Sequence, residues 1–513
     1  MIENLIGLFD NELNDIEKEN DTNLNLITNL IGGGNKKKIF IKKTKYTVYD
    51  MVQCSNSIQS NTTKSDSIQS DSNKSDSNKS ESTQLMKTLI IPLLNSNTIT
   101  VGIFINAGSR KETEAYGIAH FLEHMTFKGT DKRSSDNLMF ELDSLGANYN
   151  AMTGHEFTAY YISGDPRDIE KFLDIIIDLY LIPTFPESDI VKERNVVLEE
   201  QRMNEDSTSR VLTNTMFKEI YDTIKPDMAR PIIGFPNTIS VLNRNDIINY
   251  RKRNYMGSNC LLCVSGNFDK DDAIKYIEYK FNSTLNKMPK QENLFFDTVK
   301  RDMNILPFIK MKSNIKRHIN ILKDIKQTVI NFTFSAFNAN NHYLNHLELL
   351  GDILSNGFSS RLFNLLRNKM GVSYYNNSFT RTFEDCGQFV ITVGVEHNSV
   401  LITIKGILEE LKKIKENGLT EAELSKAKKQ NETSLLFQFK DPYEYLMYYG
   451  INYLKSKPMY SITDMLNNID SVTLNDLNTI VKKLFVSDNL IIGTIGKVND
   501  SDTEKIIKLI NQF

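Results

Sequence analysis

Short apolar runs with strand-like spacing alternate along the chain with stretches in which apolar residues recur every three or four positions. The runs at residues 86–93 and 98–108 are rich in β-branched residues and flank Asn95-Ser96-Asn97, which predicts a hairpin. Helical spacing occurs at residues 117–126, 135–145, 168–180 and 187–204, whereas residues 149–163 alternate as a strand does. A short apolar run at residues 259–266 predicts a buried strand. This order predicts an α+β fold, with helices on one face of a mixed or antiparallel sheet.

The same order of elements begins again after a polar stretch at residues 286–314. Residues 328–337 and 388–395 have the pattern of strands, and residues 343–354, 360–370 and 401–415 have that of helices. FELDSLGANY resembles NLLRNKMGVSYY, with Gly371 and Tyr374 standing as Gly146 and Tyr149 do. We therefore predict two homologous halves, residues 37–290 and 316–513, joined by a linker at residues 291–315.

The N-terminal region is predicted to add little to the core. Residues 1–36 form a tail, and residues 38–52 have the pattern of a first strand. Residues 55–83 are a run of Ser, Asn, Lys and Asp with few apolar side chains, so they cannot bury enough surface to offset their ordering entropy. We predict a disordered insertion at about residues 54–84 of the first half.

Composition narrows the classes of function. Hydrophobic residues make up 40% of the 513 residues and the formal net charge is −3, which argues against a nucleic acid as the main ligand. No apolar run is long enough for a membrane span. Four cysteines fit a reducing compartment. The acidic N-terminus resembles neither a secretory signal nor a mitochondrial transit peptide, so we expect an intracellular protein.

The sharpest chemical signal is HFLEH at residues 120–124, in a chain with seven histidines. On a helix, His120 and His124 lie one turn apart on the same face, where two imidazoles can share one Zn²⁺. Glu123 then lies close enough to contact a water beside the metal. This order inverts His-Glu-x-x-His and is itself a signature of metallopeptidases. An amphipathic helix without a metal is the alternative.

A catalytic zinc needs a third protein ligand. The next acidic helix offers four carboxylates, namely Glu193, Glu199, Glu200 and Glu205. Glu193 and Glu200 are seven residues apart and share a face, while Glu199 points away. One carboxylate of the shared face would bind the metal, and the other would orient a histidine or the water. A solvated acidic helix is the alternative.

These motifs resemble the inverted-zincin peptidases of family M16, which include mitochondrial processing peptidase, insulin-degrading enzyme, pitrilysin and short bacterial relatives. The third ligand of that family stands 76 residues after the second motif histidine, so the resemblance implies Glu200 as a ligand beside His120 and His124. It also implies Glu123 as the general base and Glu193 as an accessory catalytic residue. The implied cofactor is one Zn²⁺ per chain, and the chain length resembles the short, processing-peptidase-like branch.

The resemblance extends to residues outside the motif. Asn150 and Ala151 match a pair on the family's edge strand that binds the substrate backbone. Residues 359–375 resemble an element that implies Arg367 and Tyr374 as contacts to the substrate carbonyl and the transition state. The implied activity is zinc-dependent endopeptidase cleavage of extended or unfolded peptides, presequence-like peptides among them. The implied architecture is a clamshell of two halves, in chains that pair as homodimers or as heterodimers with a related chain.

Three alternatives stay open at this stage. The chain is a non-catalytic relative, like the core subunits of cytochrome reductase, or a scaffold that holds peptides uncut, or the catalytic subunit of a heterodimer. The presence of all five site positions argues against the first alternative, and the intact Glu123 argues against the second.

Three other groups of residues are weaker candidates for a site. His342 and His346 have helical spacing without a completing carboxylate, so we expect a solvated helix face. Cys260 and Cys263 have the spacing of a zinc knuckle, but positions i and i+3 of a strand point to opposite faces, so we expect buried core cysteines. For His155 we expect a polar surface role.

Overall fold

The computed structural model describes residues 47–54, 57–62, 83–285, 315–373 and 375–513, which form two sheets covered by helices. The first sheet contains β1 (Thr47–Cys54), β2 (Ser57–Thr62), β3 (Thr83–Pro92), β4 (Ile99–Ile105), β5 (Asn148–Thr153), β6 (Thr158–Gly164) and β7 (Cys260–Gly266). The second contains β8 (His318–Leu322), β9 (Thr328–Ala336), β10 (Tyr375–Thr382), β11 (Gly387–Val395) and β12 (Leu490–Gly496).

The helices follow the same division. Those of the first half are α1 (Ile118–Thr126), α2 (Ser135–Ser144), α3 (Ile169–Leu181), α4 (Glu187–Asp206), α5 (Thr208–Tyr221), α6 (Pro226–Ala229), α7 (Pro236–Ile239), α8 (Arg244–Asn254) and α9 (Lys270–Leu285). Those of the second are α10 (Leu344–Ser355), α11 (Arg361–Phe363, continued by a π-helical Asn364–Lys369), α12 (Val400–Asn417), α13 (Glu421–Gln438), α14 (Pro442–Leu454), α15 (Ile462–Asp470), α16 (Leu474–Leu484) and α17 (Asp500–Gln512).

The two sheets have matching topology. The first has the order β2-β1-β3-β7-β4-β6-β5 and the second the order β10-β11-β9-β12-β8. Leaving out the β1–β2 hairpin, the five remaining strands correspond one to one, and each set has one parallel pair at the same place, β3 with β7 and β8 with β12. The predicted α+β fold with two homologous halves is therefore confirmed.

Several local predictions were wrong. Residues 86–93 and 98–108 do not form a hairpin, because β7 lies between β3 and β4 and pairs with both. The chain between β3 and β4 is long enough to pass over the end of β7, since neighbouring strands are about 4.8 Å apart. Residues 149–163 form two strands, β5 and β6, rather than one.

Part of the insertion predicted to be disordered is ordered in the structure. Residues 57–62 form β2, which pairs with β1 in antiparallel register from Tyr49 with Thr62 to Cys54 with Ser57. Backbone hydrogen bonds to β1 stabilise this strand, although the segment has few apolar side chains. The remainder of that insertion, the tail at residues 1–36 and the linker at residues 291–314 lie outside the described residues.

Each half lends a helix to the sheet of the other half. On β4, Ile103 faces the helices of its own half, while Phe104 packs with Leu446 and Tyr449 of α14. In return, Met216 of α5 packs against Ile491 of β12. Both faces of each sheet are thus buried, which explains the continuous apolar runs of the central strands. Opening the halves as a clamshell has to separate both of these apolar contacts.

Ion pairs also join the halves. Arg110 donates two hydrogen bonds of 2.9 Å to Asp385 of the second half, and it pairs with Glu156 and Asp227 of the first. Lys225 lies 2.6 Å from the same Asp385 carboxylate. These contacts hold the pKa of Asp385 below its usual range, against the opposing effect of burial. The boundary between the halves is therefore apolar on both sheet faces and charged at this edge.

Candidate metal centre

Helix α1 places the HFLEH sequence against the core on one side only. Ile118, Ala119, Phe121, Leu122 and Met125 are buried, which leaves the two histidines and the glutamate on the opposite side. The helix begins after Gly117, whose φ of 95° belongs to the left-handed region that favours glycine.

Glu112 satisfies the first turn of α1. This buried carboxylate accepts hydrogen bonds of 3.0 Å from the backbone N–H groups of Gly117 and Ala119. Burial raises the pKa of Glu112 to about 8, although both hydrogen bonds act in the opposite direction. The position of the motif helix thus depends on a residue that the sequence did not single out.

Helix α4 carries the acidic side chains across from α1. Ile190, Glu193, Val197 and Gln201 are its buried residues, and their spacing marks one face of the helix. Glu200 lies next to this stripe, because seven residues separate it from Glu193. Glu199 points elsewhere, since its side chain is 62% exposed and pairs with Arg202.

The structure brings His120, His124 and Glu200 together. One ligand atom from each lies within 4.8 Å of the other two. Both histidine Nε2 atoms are 3.6 Å from Glu200 Oε2. Ligands about 2.0–2.1 Å from a tetrahedral zinc are roughly 3.4 Å apart, so the three groups fit such an ion with little movement. Among the described residues, this is the one such group of three or more His, Cys, Asp or Glu side chains.

Hydrogen bonding at His124 prepares its metal-facing nitrogen. His124 Nδ1 donates to Glu193 Oε1 at 2.9 Å, and Lys128 Nζ lies 2.7 Å from Glu193 Oε2. Because Nδ1 holds the proton, the lone pair of Nε2 is left for the ion. Burial raises the pKa of Glu193, but the contacts with His124 and Lys128 outweigh it and lower that pKa overall. Glu193 is therefore a charged side chain that orients the ring of His124.

His120 is held neutral by its surroundings. Burial is the main cause that lowers the pKa of His120 to about 3. A neutral imidazole is the form that binds metal ions. Its Nδ1 is buried without a hydrogen-bond partner among the described residues, in contrast to that of His124.

Glu123 lies beside this trio and contacts the edge strand. Thr153 Oγ1, at the end of β5, donates to Glu123 Oε2 at 2.5 Å. Burial raises the pKa of Glu123, and the hydrogen bond from Thr153 opposes that shift. No motif marks Thr153 in the sequence. For Lys128, the one sequence signal of a contact near His124 was their separation of four residues. Such spacing is common on polar helix faces, so it could not identify the contact with Glu193.

The residues implied as substrate contacts lie in different places. Asn150 and Ala151 are on β5, the edge strand of the first sheet, where the Asn150 side chain accepts from the Ala151 backbone N–H at 2.8 Å. Arg367 is in the π-helical segment of the second half, with its guanidinium 5.6 Å from the centre of the Phe363 ring. Tyr374 lies outside the described residues. The substrate roles of all four stay predictions.

The weaker candidates Cys260, Cys263 and His155 have contacts typical of structural residues. Cys260 and Cys263 are buried, unpaired thiols of β7, and burial raises the pKa of Cys260 to about 12. His155 is half-buried, because its ring stacks on Phe217 at 5.4 Å and its Nδ1 lies 3.0 Å from Ser109 Oγ.

Two family models match the sequence. "Insulinase (Peptidase family M16)" matches residues 89–229 and "Peptidase M16 inactive domain" matches residues 242–431, which together exceed half of the chain. The chain belongs to peptidase family M16. This confirms the resemblance expected from the motif and its spacing, and it places the trio in the half that matches the first of the two M16 models.

Similar M16 sequences and structures span most of the chain. An uncharacterized zinc protease of Rickettsia felis is 30% identical over 402 residues, covering 77% of this chain and 92% of that protein. The beta subunit of the mitochondrial-processing peptidase of Saccharomyces cerevisiae is 27% identical over 397 residues, covering 75% and 83%. The crystal structure of a protease from Helicobacter pylori has a TM-score of 0.70 at 21% identity, covering 80% and 97%. The structural likeness shows the same fold.

Within the described ranges, no helix is both long and apolar enough to cross a bilayer.

Proposed function

We propose that this chain is a zinc-dependent endopeptidase that cleaves extended or unfolded peptides. The observation that supports this most directly is the meeting of His120, His124 and Glu200, with the half-buried Glu123 carboxylate beside them. The names of the M16 relatives support the same assignment. One Zn²⁺ per chain is part of the proposal.

The chain's own residues divide the work. His120, His124 and Glu200 would hold the ion, and Glu193 keeps His124 in the required tautomer. A divalent cation held there polarises the scissile carbonyl and makes a neighbouring water more acidic. Glu123 accepts a proton as the water oxygen bonds to the carbonyl carbon, and it returns the proton to the amine as the C–N bond breaks. Its raised pKa suits both transfers.

The edge strand β5 supplies the place for the peptide. One side of β5 pairs with β6, and its other side is the edge of the sheet. An extended peptide would add there as a further strand, so that Asn150 and Ala151 contact its backbone. Arg367 and Tyr374 are proposed to contact the substrate carbonyl and the transition state. This mode of binding reads the backbone first, which favours unfolded segments.

The proposal includes pairing with a second chain, identical or related, and an intracellular location. The rival is a non-catalytic chain that binds peptides. It predicts that the zinc-loaded protein hydrolyses no member of a peptide library.

Glu123→Gln tests the proposed reaction. We expect hydrolysis of a quenched fluorescent peptide library to fall about 10²–10⁴-fold, because the general base is lost. Zinc content measured by atomic absorption should remain near one per chain. Glu199→Gln is the matched control, since Glu199 is exposed on the same acidic helix as Glu200. Turnover by Glu123→Gln above a tenth of the wild-type rate would exclude this role for Glu123.

A further inference from the structure

A cavity of about 230 Å³ lies at the boundary between the halves, near the start of α1. Its lining includes Arg230, Arg381, His155, Thr213, Asn214 and Phe383. The volume equals roughly seven water molecules, so it suits a small group rather than a drug-sized ligand. Two cations in one small cavity raise the question of what neutralises them.

Neither guanidinium forms an ion pair with a carboxylate of the described residues. Arg230 lies 4.4 Å from the centre of the Tyr116 ring, and its buried Nε has no hydrogen-bond partner in the described part of the chain. Arg381 donates to Thr213 Oγ1 at 3.3 Å and lies over the rings of Phe217 and Phe379. Aromatic faces and one hydroxyl leave most of their N–H donors available.

Nearby carboxylates are already engaged. Glu112, which lies near Arg230, accepts two backbone N–H groups at the start of α1. Asp227 pairs with Arg110. Arg230 and Arg381 are both half-buried, and burial lowers the pKa of Arg381. Two partly buried guanidiniums whose neighbouring carboxylates already have other partners favour an anionic guest.

The cavity lies where two edge strands end. His155 is in the turn that follows β5, and Phe383 is in the turn that follows β10, with their rings 5.7 Å apart. Thr153, two residues before His155, contacts Glu123. A peptide paired along β5 would therefore pass the reacting centre at one end of the strand and reach this cavity just beyond it.

We propose that this cavity binds a carboxylate of the peptide substrate, from either an acidic side chain or a free C-terminus. Arg381 and Arg230 approach the carboxylate from two walls, and Asn214 and His155 supply further polar contacts. Guanidinium groups recognise carboxylates through paired N–H donors, which gives the site a preference for this group over a neutral amide. The proposal rests on the proposed peptidase function and adds to it a preference for acidic substrates.

Binding to the uncleaving Glu123→Gln protein, loaded with zinc, tests this proposal. Fluorescein-labelled, C-terminally amidated decapeptides carry a single Glu at successive positions, each matched by a peptide with Gln there. A second pair compares a free C-terminus with its amide. We expect at least tenfold tighter binding, by fluorescence anisotropy, of the acidic member of one pair. The pair that shows it identifies the source of the carboxylate.

Variants then locate the preference. Adding Arg381→Gln or Arg230→Gln should reduce the ratio below about threefold, while Arg381→Lys should keep more of it because the charge remains. Thermal unfolding checks that each variant folds. Arg167→Gln is the matched control, since that side chain is 89% exposed, pairs with Asp165 and does not line the cavity. A ratio that persists in folded Arg381→Gln would overturn the assignment.

The two proposals can fail separately. If no pair shows a preference while the wild-type protein cleaves the library, the carboxylate site is wrong and the peptidase function stands. If the acidic preference appears in Glu123→Gln but the wild-type protein cleaves nothing, the peptidase function is wrong and the carboxylate site stands.

Discussion

Replacing Glu193 with Gln would test how the hydrogen bond at His124 Nδ1 supports metal binding by the other ring nitrogen of His124. Glu193 Oε1 accepts from His124 Nδ1 at 2.9 Å, and Glu193 Oε2 lies 2.7 Å from Lys128 Nζ. Gln keeps the size of the side chain and one acceptor oxygen. It removes the negative charge and places an NH₂ group, which cannot accept a hydrogen bond, at the position where Lys128 Nζ contacts Glu193 Oε2.

The magnitude follows from the change in the hydrogen bonds. A bond to a charged group contributes about 1.5–3 kcal/mol, against about 0.5–1.5 kcal/mol between neutral groups. Glu193 is 6% exposed, so water does not replace the lost contact. We therefore expect zinc binding to weaken about 10- to 100-fold, the range typical of partners that orient a metal-binding histidine.

Competition with a chromophoric chelator would measure the zinc dissociation constant of each variant. Glu200→Gln removes a ligand outright and should weaken binding more than Glu193→Gln. Glu199→Gln is the matched control and should match the wild-type protein, because Glu199 pairs with Arg202 away from the trio. Equal affinities of wild type and Glu193→Gln would show that the hydrogen bond to His124 does not support zinc binding. A loss in Glu199→Gln equal to that in Glu200→Gln would show that Glu200 is not a specific ligand.

Two further predictions concern the boundary between the halves. Leu446→Ala, at a fully buried position of α14 beside Phe104, should lower the free energy of unfolding by about 2–5 kcal/mol in urea titrations. A loss below about 1 kcal/mol would contradict the packing of Leu446 against Phe104. Asp385→Asn should be less stable than wild type at pH 7, and the difference should shrink as pH falls below about 3.9, since a lowered folded-state pKa gives stability that acid removes. If the stability difference between wild type and Asp385→Asn stays constant between pH 7 and pH 3, the folded-state pKa of Asp385 is not lowered.

Much of the candidate site could be predicted because it depends on helical spacing. His120 and His124 share a face through a separation of four residues, and Glu193 and Glu200 through a separation of seven. Such relations hold wherever the helix forms. The convergence of the two helices was inferred from the family's spacing, and the structure places Glu200, and not Glu199, 3.6 Å from both histidines.

The contacts that tune the site could not be predicted in the same way. Thr153 meets Glu123 from another strand, and Glu112 holds the start of α1 from a loop. Neither residue belongs to a periodic pattern, and each acts through contacts between separate elements. The cavity lined by Arg230 and Arg381 could be predicted even less, because these two residues are 151 positions apart in the sequence.

The element types, the duplication and the motif could be predicted from the sequence, since they depend on local periodicity and on repeated order. Only the folded chain shows that β7 separates β3 from β4, that β2 extends the first sheet, and that α5 and α14 each cover the sheet of the other half. Strand order and helix exchange depend on which apolar faces meet after the chain folds. Many pairings satisfy the same alternation of residues, and only the packing of the whole chain selects among them.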